Sequence, residues 1–497
     1  MKLVIINIVL SVLFFNQQLP AQRIELSKPE KKFKTTFTKI VGENNNGFLV
    51  LSSESPISSN SKNLNLSNNK TSLSFRDNLM SKIWEIYVDL PTFDAQIVHV
   101  SILDSRAYLY YKVFNKGQSA YDLNVFAYSL TDGKHFIKET PALSIPVEKR
   151  RDELSFAVCL DPNGKGYAVS AIHETIKSEY CEIYFQFLDE ELNQKWLKTF
   201  PKTLLNESLK ILDLKVDTNQ TVVVLMTNSE RIKINNNEVL HFIYSCNSES
   251  GALKAPYVFS PEYYLQDVEM TFKQDENSVA VCGFYTERRE FSNSGVFLLR
   301  LDASTDSVFN SSYQNFKVKT LGNFDNESVV GDPGKTLINY EIQEVIMKSD
   351  GGMVLIAEAN FITESSTFNV YSQVYSTSFT YHYNNVLIFS ISKNGDIEWD
   401  NVLRKRQVSE NDGAVFSSYS LFVEGSDLYF IFNKAIKRRT DVIVFSIDAS
   451  GKSSEKILLN EREETILQPK GSRQISSNEL VIPCIVENKD SYLRLIF

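Results

Sequence analysis

A strand-turn-strand cassette that returns about every fifty residues, an excess of aromatic over turn-forming residues, and the lack of helical periodicity between strands predict an all-β chain built as a β-propeller. The clearest cassette is Val386-Leu387-Ile388-Phe389-Ser390-Ile391-Ser392, the turn Lys393-Asn394-Gly395-Asp396, and Ile397-Glu398-Trp399. Related turns stand at Asp132-Gly133, Glu190-Glu191-Leu192-Asn193, Ser250-Gly251, Asp302-Ala303-Ser304 and Asp448-Ala449-Ser450-Gly451. Asx and Gly turns of this kind certify hairpins, because these residues accept the tight backbone that joins antiparallel strands. With 33 Phe and 23 Tyr against 19 Gly and 13 Pro, the composition favours pleated surfaces. At 497 residues the chain exceeds one compact core, so an array that shares its core among units is expected.

Period-two alternation and turn punctuation divide the chain into four-stranded antiparallel sheets, with eight blades preferred and seven the second choice. A β-solenoid or two stacked β-sandwiches are the competing architectures. Unit one takes strands near Thr36–Val41, Phe48–Ser52, Ser72–Phe75 and Ile83–Val88, and the polar tract Ser58–Asn69 loops out between its second and third strands. Units two to four begin near Ile97, Leu154 and Leu209, and units five to seven near Val268, Tyr340 and Val415. The eighth, near Ile475–Phe497, lacks one outer strand, which Arg23–Ser27 could supply. Sharing the last blade between the two chain ends would close the ring and hide its apolar edges. Only Glu461–Leu467 could form a short helix.

The amino terminus reads as a targeting segment. Lys2 precedes an apolar run from Leu3 to Phe15, broken only by Asn7 and Ser11, and Leu19-Pro20-Ala21 is a plausible cleavage site. The expected organisation is a signal peptide over residues 1–21 and one propeller domain over 22–497, exported to the periplasm, the cell surface or the medium. No later stretch is long and apolar enough to suggest a membrane span.

Charge and cysteine usage exclude several classes. A net charge of −9 lacks the basic footprint of a nucleic-acid binder. Cys159 and Cys181 fall on the first and third strands of one sheet, about 10 Å apart and beyond disulfide reach. They, like Cys246, Cys282 and Cys484, read as small buried hydrophobes. The five histidines show no ligand spacing, and Asp161-Pro162-Asn163-Gly164 reads as a hairpin turn rather than a calcium loop. No GxSxG elbow is present. No catalytic residue, metal or cofactor is assigned.

Two segments are candidates for binding. If Thr367–Tyr383, between the second and third strands of unit six, is extended, Tyr371, Tyr375, Phe379, Tyr381 and Tyr383 share one face. Such a stripe suits a protein or glycan contact, since tyrosine gives large area at low entropic cost. The competing reading is a long hairpin packed on its own blade. The linker between units six and seven supplies Gln407, Ser409 and Asp412 and leads into Tyr419, either as a patch at the channel mouth or as hydrogen bonding between blades.

Within Tyr381–Asn433, an apolar strand, a turn ending in Trp399, and a linker bearing Lys405, Gln407, Ser409, Asp412 and Tyr419 follow one another. This stretch resembles a segment of uncharacterised secreted bacterial proteins with propeller-like repeats. The resemblance implies a propeller fold and no known activity. Ser392–Trp399 also resembles the Asp-box turn of sialidase-like propellers, departing from it where Asn394 replaces Asp and Gly395 is shifted by one; in that family the box is structural. The functional expectation is an exported binding or scaffold module that contacts a protein or glycan through inter-blade loops and the aromatic insertion. The alternative is a glycan-active hydrolase or lyase using carboxylates around the channel.

Overall fold

Runs such as Val222–Leu225 and Val386–Phe389 are apolar at every position, so strands made of them have no solvent face and need cover on both sides. The computed structural model supplies that cover, among its described residues, with eight antiparallel sheets. It describes residues 23–30, 37–54, 66–67, 71–150, 152–174, 180–203, 207–230, 240–250, 257–258, 263–273, 278–286, 293–302, 307–316, 339–369, 374–437 and 439–497.

Blade one runs Phe37–Asn44, Gly47–Ser53, Thr71–Asp77 and Lys82–Tyr87, each strand paired with the next. Blades two to seven repeat that order from first strands Gln96–Leu103, Glu153–Leu160, Glu207–Val216, Tyr264–Lys273, Tyr340–Met347 and Ser420–Glu424. First strands of successive blades touch one another, as Phe37–Asn44 does Gln96–Leu103 and Tyr264–Lys273 does Tyr340–Met347, so they form the inner wall. Fourth strands such as Ser453–Leu459 are the exposed rim. Blade eight is built from Glu479–Val486, Lys489–Ile496 and Arg23–Leu26, the last pairing from Arg23 opposite Ile496 to Leu26 opposite Leu493.

The core proves that the ring closes. Among the described residues it consists of eight clusters, each lying between two neighbouring blades. The second strand of blade three shows how: Tyr167, Val169 and Ala171 point into the cluster shared with blade two, while Ala168 and Ile172 point into the one shared with blade four. Period-two alternation thus hands each blade's faces to two different neighbours. The series ends where it began, with Val481 and Tyr492 of blade eight packed against Ile40, Phe48 and Val50 of blade one. The chain is an eight-bladed β-propeller.

The cassette turns also join blades. Trp84, on the outer strand of blade one, donates its indole N–H to the Leu130 carbonyl at 2.7 Å, in the turn before the outer strand of blade two. Trp399 of blade six does the same to the Ala449 carbonyl of blade seven, at 3.1 Å.

Several elements differ from expectation. Leu66–Ser67, inside the tract expected to loop out, pairs with Gln96 and Ile97 as an extra strand of blade two. The first strand of blade seven starts at Ser420 rather than near Val415, because Val415 is buried in the cluster of blades one and two. Within Glu461–Leu467, Glu461–Glu463 forms a 3-10 turn capped by the Asn460 side chain, and Thr465–Leu467 is a strand. The inner strand of blade eight begins there rather than near Ile475; a 3-10 turn at Pro469–Gly471 divides it from Arg473–Ser476. All five cysteines are free, and four of them are buried. No helix among the described residues is long and apolar enough to cross a membrane.

Candidate functional site

The longest strands among the described residues, Met353–Asn369 and Val374–Ile391, are the second and third of blade six. Their inner halves are apolar and buried in the blade, whereas their outer halves are rich in Ser, Thr and aromatics. Past a register shift at Glu358/Asn360 they leave the blade and continue as a two-stranded ribbon, Asn360 opposite Tyr383 through Asn369 opposite Val374. Cross-strand partners share a face, which places Ile362, Phe368, Tyr375, Phe379 and Tyr381 together on one side. Tyr375 is 73% exposed and Phe379 41%, and Phe368 contacts the Tyr375 ring at 4.7 Å. The tip of this face does not pack on its own blade. Tyr371 lies outside the described residues.

At the ribbon base the linker folds back as a strand, Gln407–Glu410, pairing with Thr380–Tyr383. Beneath it lies an ion pair between Glu358 and Lys405, 2.5 Å apart, with both side chains almost fully buried. Ser418 Oγ donates to Glu358 Oε2 at 2.6 Å. Lys405 Nζ donates to Gln407 Oε1 at 3.1 Å, the Ser418 amide donates to the same oxygen at 2.8 Å, and Gln407 Nε2 donates to the Asn433 carbonyl of blade seven at 2.6 Å. Ser409 Oγ donates to Asp412 Oδ1 at 2.7 Å. Gln407 is therefore a buried tie between blades six and seven, whereas Ser409, also buried, bonds through its side chain only within the linker. Burial outweighs the Glu358 charge and holds the Lys405 amine below its usual range.

Tyr383 and Tyr419 are buried too, but they lead to the centre of the ring. A cavity of about 910 Å³ is lined there by the inner strands of blades one, five, six and seven and by the 3-10 turn of blade eight. Lys470 of that turn donates from Nζ to the Tyr383 hydroxyl at 2.7 Å and lies 3.9 Å from the centre of the Tyr383 ring. Burial pushes the Lys470 amine down to about 8, with the Glu358 charge opposing. Burial likewise raises the Tyr419 phenol, helped by Glu358 and Glu344. Asp267, Glu269, Glu341 and Glu344 stand along the walls from blades five and six. Asp267 Oδ2 accepts from the Ile342 amide at 2.5 Å, and Glu341 Oε2 accepts from Asn360 Nδ2 at 3.1 Å. Among the described residues no group of three His, Cys, Asp or Glu could hold a metal.

Sequence reasoning singled out the stripe and the linker as two separate segments, and the structure joins them where Tyr383 pairs with Gln407. It missed Lys470, Glu358 and the carboxylate wall, since none of these carries a motif and they meet only when distant blades converge.

No family model matches the chain, and no curated protein sequence matches it. Solved structures similar to it include Chaetomium thermophilum Sqt1 bound to the N-terminus of ribosomal protein L10, at 11% identity and a TM-score of 0.39, covering 95% of this chain and 100% of that one. A puromycin-hydrolyzing peptidase of Mycobacterium tuberculosis is similar at 9% identity and a TM-score of 0.39, covering 93% of this chain and 63% of that one. The Trp149Ala mutant of the Synechocystis apocarotenoid oxygenase is similar at 8% identity and a TM-score of 0.37, covering 96% and 92%.

Proposed function

We propose that this propeller is an exported binding or scaffold module that holds a protein partner on the aromatic face of the blade-six ribbon. The observation that carries the reading is the exposure of Ile362, Phe368, Tyr375 and Phe379 on one face of a ribbon that extends past its blade. Several exposed apolar side chains gathered on one face in this way mark an interaction site. An aliphatic residue among the rings, with Glu364, Ser366 and Thr377 on the same face, favours a protein surface of mixed apolar and polar character over a sugar. The chain's net charge of −9 favours a partner with basic groups at its rim. Export rests on Lys2 and the apolar run that follows it.

The test replaces Tyr375 and Phe379 with Ser and places a photo-crosslinking residue at Thr377, with the exposed Phe309 position of blade five as control. A stable double variant that loses a crosslink formed at position 377 and not at position 309 is the expected result. Unfolding of the double variant, or equal crosslinking at both positions, would refute the reading. A second reading, a glycan hydrolase or lyase, draws support from the four carboxylates on the cavity walls. Release of new sugar ends from cell-envelope glycan by the native chain and not by Glu344→Gln would decide for it.

A further inference from the structure

The two strands of the blade-six ribbon have different neighbours. At the ribbon base Val374–Ile391 is paired on both sides, with Met353–Asn369 and with Gln407–Glu410, and the Asn411 amide extends the pairing by donating to the Phe379 carbonyl at 2.9 Å. Met353–Asn369 lacks such cover. Its inner neighbour Tyr340–Met347 stops pairing at Ala359, and among the described residues no strand pairs with the rest of that edge. The Asn360 amide donates to the Asn339 carbonyl at 2.9 Å, on the side away from Val374–Ile391. Backbone groups along an antiparallel strand alternate in direction, so the amides and carbonyls of Ile362, Glu364, Ser366 and Phe368 point the same way, to solvent.

Several outer strands of the ring are guarded against pairing: Lys82 stands on that of blade one, Pro141 on that of blade two, Lys198 and Pro201 on that of blade three, and Lys456 on that of blade seven. From Asn360 to Asn369 there is no Lys, Arg, Pro or Gly, and Glu364 is the one charge. Two strands alone are marginal in water, and further strands make a stable sheet. An unguarded edge on such a ribbon is a template for one.

The edge is complementary to itself. If two copies run antiparallel with Ser365 facing Ser365, Ile362 of each lies opposite Phe368 of the other and Glu364 opposite Ser366. All four outward positions then exchange hydrogen bonds, and an apolar pair closes each end. A slip of two residues sets Glu364 directly against Glu364 in one direction and leaves Ile362 opposite position 370, beyond the strand, in the other. Antiparallel pairing also puts the base of each ribbon beside the tip of the other, so the two propeller bodies stand at opposite ends of the joined sheet.

We propose that a second copy of this chain pairs with the free edge of Met353–Asn369, joining two ribbons into a four-stranded sheet about a two-fold axis at Ser365. The edge and the aromatic face are different surfaces, so the pairing does not rest on the protein-partner reading and leaves that face open.

Sedimentation of the purified whole chain, with no partner present, should show a reversible dimer. Ser366→Pro removes an outward amide and no bond of the ribbon's own ladder; by symmetry it deletes two hydrogen bonds between the copies and should weaken the dimer about tenfold or more. Glu364→Thr should tighten it, since a strand former replaces a carboxylate that lies diagonal to its own copy. Register is read by disulfide trapping over the background of the unaltered chain. At the two-fold axis the facing Cα atoms, about 4.5 Å apart at a non-hydrogen-bonded pair, are within disulfide range, so Ser365→Cys should cross-link under mild oxidation. Thr363→Cys should not, because its two thiols would stand about 13 Å apart along the strands. If Ser366→Pro does not fold, the two thiol variants still decide. A monomer at every concentration, which would leave the edge to a strand of another protein, an unchanged dimer in folded Ser366→Pro, a dimer weakened by Glu364→Thr, or equal cross-linking at positions 363 and 365 would overturn the proposal.

Discussion

Trp399, on the outer strand of blade six, lies flat against Gly451 in the turn of blade seven; a Cβ at Gly451 would come within 2.8 Å of the indole ring. The turn needs a positive φ at this residue, +81°, and the ring needs the missing side chain. Trp84 and Gly133 repeat the arrangement between blades one and two. Gly451→Ala should therefore cost about 1–3 kcal/mol, the range for backbone strain plus overpacking. Urea unfolding of Gly451→Ala beside Gly425→Ala checks it: Gly425 also has a positive φ, but an added methyl group there would meet nothing within 4 Å, so only backbone strain applies.

Glu358 and Lys405 form a buried pair whose members cannot be removed singly without stranding a charge. Glu358→Ala should destabilise the protein by about 3–5 kcal/mol, whereas the double change Glu358→Leu, Lys405→Met should cost much less, because no charge is left behind. A double-mutant cycle by chemical denaturation measures both.

His241 and His99 are held neutral by burial, with Lys39 adding to the effect at His99, and each titrates near 4 instead of 6.5. The unfolded chain takes up these protons as the pH falls below 6.5 while the folded chain does not. Stability from this source is thus complete above pH 6.5 and is lost progressively as the pH falls toward 4. Urea midpoints at pH 7.5, 5.5 and 4.5 should decline in that order, and His241→Phe should make the decline shallower. A flat profile would contradict the burial of both rings.

Arg23–Leu26 covers the outer edge of Lys489–Ile496, and Ser27 Oγ accepts from the Tyr492 amide at 3.0 Å. Deleting residues up to Ser27 should expose a free strand edge in blade eight. The expected outcome is a lower melting temperature with concentration-dependent light scattering, and an added peptide spanning residues 23–30 should reverse part of both.

The hairpin turns, the alternation within strands and the aromatic content are local properties, and from them the all-β class, the four-stranded unit and the number of sheets could be read without any knowledge of the fold. The ribbon was legible as an extended aromatic stripe for the same reason: period two in Tyr375, Phe379 and Tyr381 is independent of the rest of the chain. Which of those rings face solvent was not legible, because Tyr383 carries the same pattern and is buried. Gln407 shows the opposite limit, a polar residue that the folded ring buries between two blades. The cavity belongs wholly to the tertiary level. Tyr383 and Lys470 meet across 87 positions of sequence, and Lys39 joins them from the first blade. Their proximity follows from the rotation accumulated over successive blades until the ring closes, a sum over the whole chain that no local pattern encodes.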